Sequence, residues 1–260
     1  MIVCKSPAEL ELMHAANQVV AKVRDEVVGR VAPGVSTGEL DSYAEARVRE
    51  LGGVPAFKGY RGFPATLCLS LNEEIVHGIP STRRRLAPGD ILGIDLGVKL
   101  DGYHGDSAIT VPVGTVEPEV SRLLSVTEES LREAILQCLP GNRVGDVSAA
   151  VQRHVEAQGF SIVRDFVGHG IGKSLHEDPQ VPNFGDPGVG PRLRPGMVLA
   201  IEPMVNMGQP DVEVLDDGWT AVAADRRPSA HFEHSVAITE EGPWVLSLAE
   251  QSVVASTAGH

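Results

Sequence analysis

The chain carries its own sequence pattern twice. Ala32-Pro33-Gly34-Val35-Ser36-Thr37-Gly38-Glu39-Leu40 lies against Leu139-Pro140-Gly141-Asn142-Arg143-Val144-Gly145-Asp146-Val147, an offset of 107 residues (139 − 32). Pro88-Gly89-Asp90-Ile91-Leu92-Gly93-Ile94-Asp95 lies against Pro195-Gly196-Met197-Val198-Leu199-Ala200-Ile201-Glu202 at the same offset. The helical stretches that follow the first pair end at Gly52 and Gly159, again 107 apart. Each half, about 1–115 and 116–250, therefore reads as helix, Pro-Gly turn, second helix, then strands. Copied patterns fold into copied structures, so one unit over 1–250 with a pseudo-two-fold axis is expected, followed by a small polar tail, 251–260, with a disordered end.

Periodicity supports the helices. Leu12, Ala16, Val19, Val20, Val23 and Val27 recur at helical spacing in the first half. Val120, Leu123, Leu124, Thr127, Leu131, Ala134, Ile135 and Cys138 do so in the second, with Glu119 suited to a first turn after Pro118. Strands are expected over Ile91 to Val98, Ala108 to Val113, Met197 to Ile201 and Phe232 to Thr239. Helices grouped before runs of strands indicate an α+β fold rather than alternating βαβ units.

The duplication has a chemical consequence. It sets Asp95 and Glu202 at equivalent positions, so a pseudo-two-fold axis brings both carboxylates to one central site. Asp106 lies eleven residues beyond Asp95. A four-residue loop, Lys99-Leu100-Asp101-Gly102, would set the two acids directly opposite on a hairpin, with Cβ atoms roughly 4.5–5.5 Å apart. His169 sits in Gly168-His169-Gly170-Ile171-Gly172, where the glycines suggest an irregular loop that approaches a ligand closely. His176 is seven residues on, not the i, i+4 spacing of a helical metal pair, so only one of these histidines is expected on a metal. Pro203 tends to end the strand at Glu202. Glu233 alternates with Phe232 and His234 and so faces the other side of its strand. His231 and His234 read as surface or supporting histidines with no primary role.

Four carboxylates and an imidazole in apolar or glycine-rich stretches are costly to bury unpaired. A metal neutralises such a set, and Asp95, Asp106, His169, Glu202 and Glu233 have oxygens enough for two divalent ions, a hydrolase arrangement. The donors are too hard to favour zinc over Mn, Fe(II) or Co.

The bulk numbers narrow the partners. A net charge of −13, from 22 basic and 35 acidic residues, argues against a broad nucleic-acid surface and against anionic membranes. Cys4, Cys68 and Cys138 are too few and too scattered for a disulfide framework or a structural zinc site, which fits a reducing compartment. No signal-like start or apolar run of membrane length is present. The expectation is a soluble cytoplasmic protein able to work as a monomer.

Taken together, the chain resembles the type I methionine aminopeptidases of the pita-bread fold. The resemblance rests on Ser70-Leu71-Asn72-Glu73 through His77-Gly78-Ile79-Pro80, Gly89 to Asp95, Gly102-Tyr103-His104-Gly105-Asp106, Gly168 to Gly172, His176-Glu177-Asp178-Pro179-Gln180-Val181, Ile201-Glu202-Pro203 and Phe232-Glu233-His234. It covers nearly the whole chain and implies a creatinase/aminopeptidase-like fold with a central antiparallel sheet covered by helices. It implies metal ligation by the five residues above and Glu202 as acid/base. His77 and His176 would contact the substrate near the scissile bond, His176 at the oxyanion and His77 at the amide nitrogen past the cut. A methionine pocket would come from Phe57, Tyr60, Phe63, Cys68, Leu175 and Trp219. Phe57 stands where the family usually has cysteine, Phe63 where it has tyrosine and Leu175 where it has phenylalanine. All three stay apolar. A monovalent cation on backbone oxygens of Asn72, Glu74 and Ser229 is also implied.

The expected activity is removal of N-terminal methionine from nascent proteins and peptides with a small second residue, with docking near the ribosome exit. One rival is a prolidase or proline-specific aminopeptidase of the same fold. Another is a non-catalytic binding protein on that fold, which would have no need of the five ligands.

Overall fold

A computed structural model describes residues 1–250; the expected tail lies outside the described residues. Four helices, α1 (Pro7–Val28), α2 (Thr37–Glu50), α3 (Pro118–Leu136) and α4 (Val144–Ala157), precede or separate the strand runs. The first half holds β1 (Val54–Pro55), β2 (Leu67–Leu71), β3 (Glu74–Val76), β4 (Ile91–Leu100) and β5 (Tyr103–Pro112). The second holds β6 (Ser161–Ile162), β7 (Gly168–Gly170), β8 (Glu177–Val181), β9 (Val198–Ile201) and β10 (Met204–Asn206). It continues with β11 (Val212–Val214), β12 (Ala221–Ala223), β13 (Ser229–His231), β14 (His234–Thr239) and β15 (Gly242–Val245). Every strand pairing is antiparallel, in a four-stranded sheet around β4, a five-stranded sheet ordered β15-β14-β9-β7-β8, and two three-stranded sheets.

The duplication extends to individual hydrogen bonds. Gly34 N–H donates to Leu86 O at 2.7 Å, and Gly141 N–H to Leu193 O at 3.0 Å. Thr37 N–H donates to Arg84 O as Val144 N–H donates to Pro191 O. The isolated bridges Ser36–Arg85 and Arg143–Arg192 repeat at the same spacing. The caps diverge in one respect. Ser36 and Glu39 cap α2 reciprocally, Glu39 N–H to Ser36 Oγ at 3.2 Å and Ser36 N–H to Glu39 Oε2 at 2.8 Å. Arg143 has no side-chain acceptor, so α4 keeps only the return bond from Arg143 N–H to Asp146 Oδ2, at 2.7 Å.

Helix α1 lies across β4 and β5. Ala16, Val20, Val23 and Val27 are fully buried there, each Val contributing about 1.5–3 kcal/mol. Leu12 departs from the expected buried face: it is 38% exposed, and Leu10 and Met13 take the inward positions instead. Helices α3 and α4 pack on one another, with Leu123, Leu131, Ala134, Val147, Val151 and Val155 in their shared core. A separate apolar cluster draws Phe57, Phe63, Cys68 and Tyr103 from the first half and Ile171, Leu175, Val198 and Ala237 from the second. This seam between the repeats holds the candidate site. Among the described residues, no helix is long and apolar enough to cross a membrane.

Candidate metal centre and apolar pocket

The β4–β5 hairpin carries the first two acids. It turns through two residues, not four: Leu100 pairs with Tyr103, and Asp101 and Gly102 have φ of 48° and 87°, as a type I′ turn requires. Asp95 is therefore opposite Ala108, and Asp106 is opposite Gly97. The acids are diagonal neighbours rather than a directly opposed pair. Residues 95 and 97 still share a face, so both carboxylates reach the same side of the sheet.

Gly168-His169-Gly170 forms a short central strand instead of the irregular loop expected. β7 is squeezed between β8 and β9, with a bulge after His169. A Cβ at Gly168 would lie 2.4 Å from Ala200 O, and one at Gly170 would lie 2.2 Å from Asp178 O. The glycines thus admit neighbouring strands, not a ligand, and deliver His169 from the middle of the sheet. Glu202 falls between β9 and β10, where Pro203 interrupts the strand. Glu233 falls between β13 and β14. Its N–H donates to Ala108 O at 2.9 Å and its carbonyl accepts from Ala108 N–H at 3.4 Å. Glu233 thereby leaves its own strand run and pairs with β5 of the other repeat.

These five side chains line one cavity of about 170 Å³, together with Phe57, Tyr60, Phe63, Cys68, His77, Leu175, His176 and Trp219. One donor atom each from Asp106, His169 and Glu233 fall within 4.8 Å of one another, a metal-sized group. Asp95 and Glu202 line the same cavity outside that tight trio, with Glu202 Oε1 3.5 Å from His169 Nε2. The other eight residues, with Arg61, form the walls. His176 lies 4.2 Å from His169 by ring centroids and stacks on Tyr60 at 5.3 Å. Phe63 meets Trp219 edge to face at 5.2 Å, and His77 sits edge-on to Trp219 at 6.2 Å. Asp217 presents Trp219 by accepting its N–H and that of Thr220, each at 2.8 Å. Cys68 is opposite Asp95 on β2. Burial, then the nearby Asp95 and Asp106 charges, push its thiol far up, so it acts as an apolar wall.

The electrostatics call for a cation. Burial raises Asp95, Glu202 and Glu233 well above the usual carboxylate range, and Asp106 adds to all three. Asp106 itself is pushed up to about 7 by burial, against a backbone hydrogen bond at Ser107. Among the described residues no Lys or Arg pairs with any of the four; Glu202 has only the two histidines His169 and His231 near it. Asp95 Oδ1, Asp106 Oδ1 and Glu233 Oε1 are buried without a hydrogen-bond partner. Orphaned carboxylate oxygens around one imidazole suit hard divalent cations. Burial lowers His169 to about 4, with His176 adding to the shift, so its ring is neutral and able to ligate at neutral pH.

Three neighbours of the site were not legible as such. Arg61 lines the cavity from a turn in which its φ is 49°, and Phe166 meets His77 edge-on at 5.4 Å. Nothing in the pattern around either residue marks it. His231 is the third, and it did carry a signal. Residues 231 and 233 have the same parity, so strand alternation turns His231 toward the face of Glu233. Of surface and supporting roles, the structure places His231 in the second. It is 4% exposed, and its Nε2 lies 3.9 Å from Glu202 Oε2. His234 is also off the surface, its Nδ1 2.8 Å from Ser247 Oγ. Asn72 and Ser229 do come together, with Ser229 N–H donating to Asn72 O at 2.8 Å.

Comparison with known proteins agrees with this geometry. The model of metallopeptidase family M24 matches residues 11–240. Methionine aminopeptidase 1 of Bacillus subtilis is 53% identical over 247 residues, spanning 95% of this chain and 99% of the relative. The crystal structure of methionine aminopeptidase from Thermotoga maritima superposes with a TM-score of 0.94 at 45% identity, covering 95% of this chain and all of that one. A prolidase from Pyrococcus horikoshii shares the fold, with a TM-score of 0.78 at 21% identity, and this chain covers 66% of it. Metal-binding donors at the seam of a duplicated α+β fold, with this degree of likeness along nearly the whole sequence, place the chain in metallopeptidase family M24, among the methionine aminopeptidases.

Proposed function

We propose that this chain releases the N-terminal methionine of nascent proteins and peptides whose second residue is small, using two divalent cations. The observation that carries the proposal is the cavity itself. Carboxylates and an imidazole converge on one apolar recess of about 170 Å³, below the ~300–1,000 Å³ of a drug-sized site, so it suits one side chain rather than a length of peptide. Asp95, Asp106, His169, Glu202 and Glu233 would hold the cations. Bound divalent ions would polarise the scissile carbonyl and make a water acidic near neutral pH.

The chain's own groups supply the rest. Phe57, Tyr60, Phe63, Cys68, Leu175 and Trp219 enclose the methionine side chain, whose flexible thioether fills irregular apolar space. The acidic floor favours a free N-terminal amine, Asp95 closest to that task. Glu202 takes a proton from the attacking water and returns it to the leaving amine. His176 donates to the developing oxyanion, and His77 accepts from the amide N–H past the cut. Burial lowers the pKa of both histidines, so each ring is neutral at pH 7, with one nitrogen to donate and one to accept. Action on nascent chains brings the protein to the ribosome exit, and a monomer suffices for it. A monovalent cation on backbone oxygens of Asn72, Glu74 and Ser229 would brace the strands behind the site.

The test is peptide cleavage by chelator-treated protein, with and without added Mn, Fe(II) or Co, on a Met-Ala peptide and an Ala-Pro peptide. Metal-dependent release of methionine from the first alone is expected. Cleavage of the second instead would move the chain to proline-specific chemistry. Cleavage of neither under any metal would favour a binding protein.

A further inference from the structure

His231 is held at its root by both repeats. Its N–H donates to Thr110 Oγ1 at 2.9 Å, and its carbonyl accepts from the same hydroxyl at 2.8 Å. Thr110 belongs to β5, so the His231 backbone cannot shift without moving the seam. The side chain is 5% exposed, and its Nε2 has no hydrogen-bond partner among the described residues. What that nitrogen faces is Glu202 Oε2, at 3.9 Å. Glu202 Oε1 is 3.5 Å from His169 Nε2. Two imidazoles therefore flank one carboxylate, one at each oxygen. His169 belongs to the tight donor group with Asp106 and Glu233; His231 does not.

An unmet ring nitrogen in the interior is costly, and an ionised carboxylate only accepts. A slight rotation of the Glu202 side chain closes the gap to hydrogen-bond length. We propose that His231 is a positioning residue: its Nε2–H holds Glu202 Oε2 and so fixes the rotation of the carboxylate that moves the proton. The proposal rests on the reading of Glu202 as acid/base. Without the contact, Glu202 Oε2 loses its restraint and the terminal carboxylate torsion is less tightly set, because sp³–sp² torsions are broad. The loss then falls on the chemical step, since His231 is not among the residues lining the cavity where methionine binds.

Two variants and one spectroscopic measurement test this. His231→Leu should lower kcat on a Met-Ala peptide by about 10- to 100-fold, the usual effect of losing a group that orients a metal ligand. KM should stay within about 2-fold, and Co(II) stoichiometry by calorimetry should be unchanged. His231→Gln, whose amide nitrogen reaches as far as Nε2, should recover most of the lost kcat. In the wild-type protein loaded with diamagnetic Zn(II), long-range ¹⁵N NMR should find His231 as the Nε2–H tautomer. Full kcat in His231→Leu overturns the proposal, as does a glutamine variant no better than leucine. A lost Co(II) equivalent would make His231 a ligand instead and also overturns it. The tautomer decides even where the leucine variant fails to fold: Nδ1–H leaves nothing to donate to Glu202. If the wild type releases no methionine, the functional reading fails, while the tautomer and the metal stoichiometry still decide the contact.

Discussion

Removing one charge from the acidic floor should stabilise the metal-free protein, and more so as pH rises. Asp106 is 4% exposed, and burial lifts its carboxyl from an ordinary 3.8 to about 7. A group whose folded pKa is raised prefers its proton in the folded state. Stability is full below the unfolded pKa and is lost as pH climbs toward the folded one. Between pH 5 and pH 8 about two of the roughly three units are traversed, so at ~1.4 kcal/mol per unit wild type loses about 3 kcal/mol through Asp106. Asp106→Asn loses none of this. The buried histidines titrate oppositely, since their folded pKa values are depressed, but they do so in both proteins and cancel in the difference. The assay is urea unfolding of chelated wild type and Asp106→Asn at several pH values, read as the difference in ΔG. That difference should move in favour of Asn by about 3 kcal/mol from pH 5 to pH 8. With a divalent cation at a thousand times its Kd that advantage should be overturned, because ligation adds about 4.1 kcal/mol to wild type. A difference that stays flat with pH, or that moves the other way, would refute the claim that unpaired burial dominates this site.

Other perturbations follow from particular contacts. Glu202→Gln should cut kcat by about 100- to 10,000-fold, as loss of a general base does, while the chelated variant unfolds no earlier than wild type. Turnover within tenfold of wild type in that variant would remove Glu202 from the mechanism. Gly170→Ala brings a Cβ to 2.2 Å from the Asp178 carbonyl, in backbone that cannot yield, and should lower stability by about 1–3 kcal/mol or more in thermal unfolding. Phe57 has its ring against Gly97, where a Cβ would sit 2.5 Å from Cε1. Phe57→Ala should raise KM for a Met-Ala peptide about tenfold or more, roughly 1.4 kcal/mol of lost apolar contact, and should admit a bulkier first residue in a peptide panel.

Much of this architecture could be read directly, because duplication is a long-range constraint that survives in sequence. The equivalence of Asp95 and Glu202 followed from aligning two Pro-Gly turns, and the structure sets both on one cavity. The hairpin register was misplaced by the length of its loop, although Asp101-Gly102 is the dipeptide that a two-residue turn selects. The Gly168-His169-Gly170 pattern suggests a loop because glycine marks close approach without saying to what. Here the close approach is to two flanking strands. Arg61 reaches the cavity, and Phe166 reaches His77, through irregular backbone that leaves no periodic trace. The apolar walls were nameable only through the family resemblance, since isolated aromatics in loops do not announce a shared pocket.

The joint between β5 and the segment Glu233 to Ser235 has a mechanical consequence. Ala108 and Glu233 exchange both of their main-chain hydrogen bonds across the seam, and Ser235 Oγ both donates to Asp106 O, at 2.9 Å, and accepts from Asp106 N–H, at 3.3 Å. The spacing of two donor side chains is thus set by the same stitches that fasten the repeats together. Any breathing of the repeats against each other would pull Asp106 and Glu233 apart. A molecule built this way cannot open like a jaw to take in its peptide and still keep its donors in place. The cavity meets solvent where exposed Arg61 lines it, a side that a free, extended chain end could reach without parting the repeats.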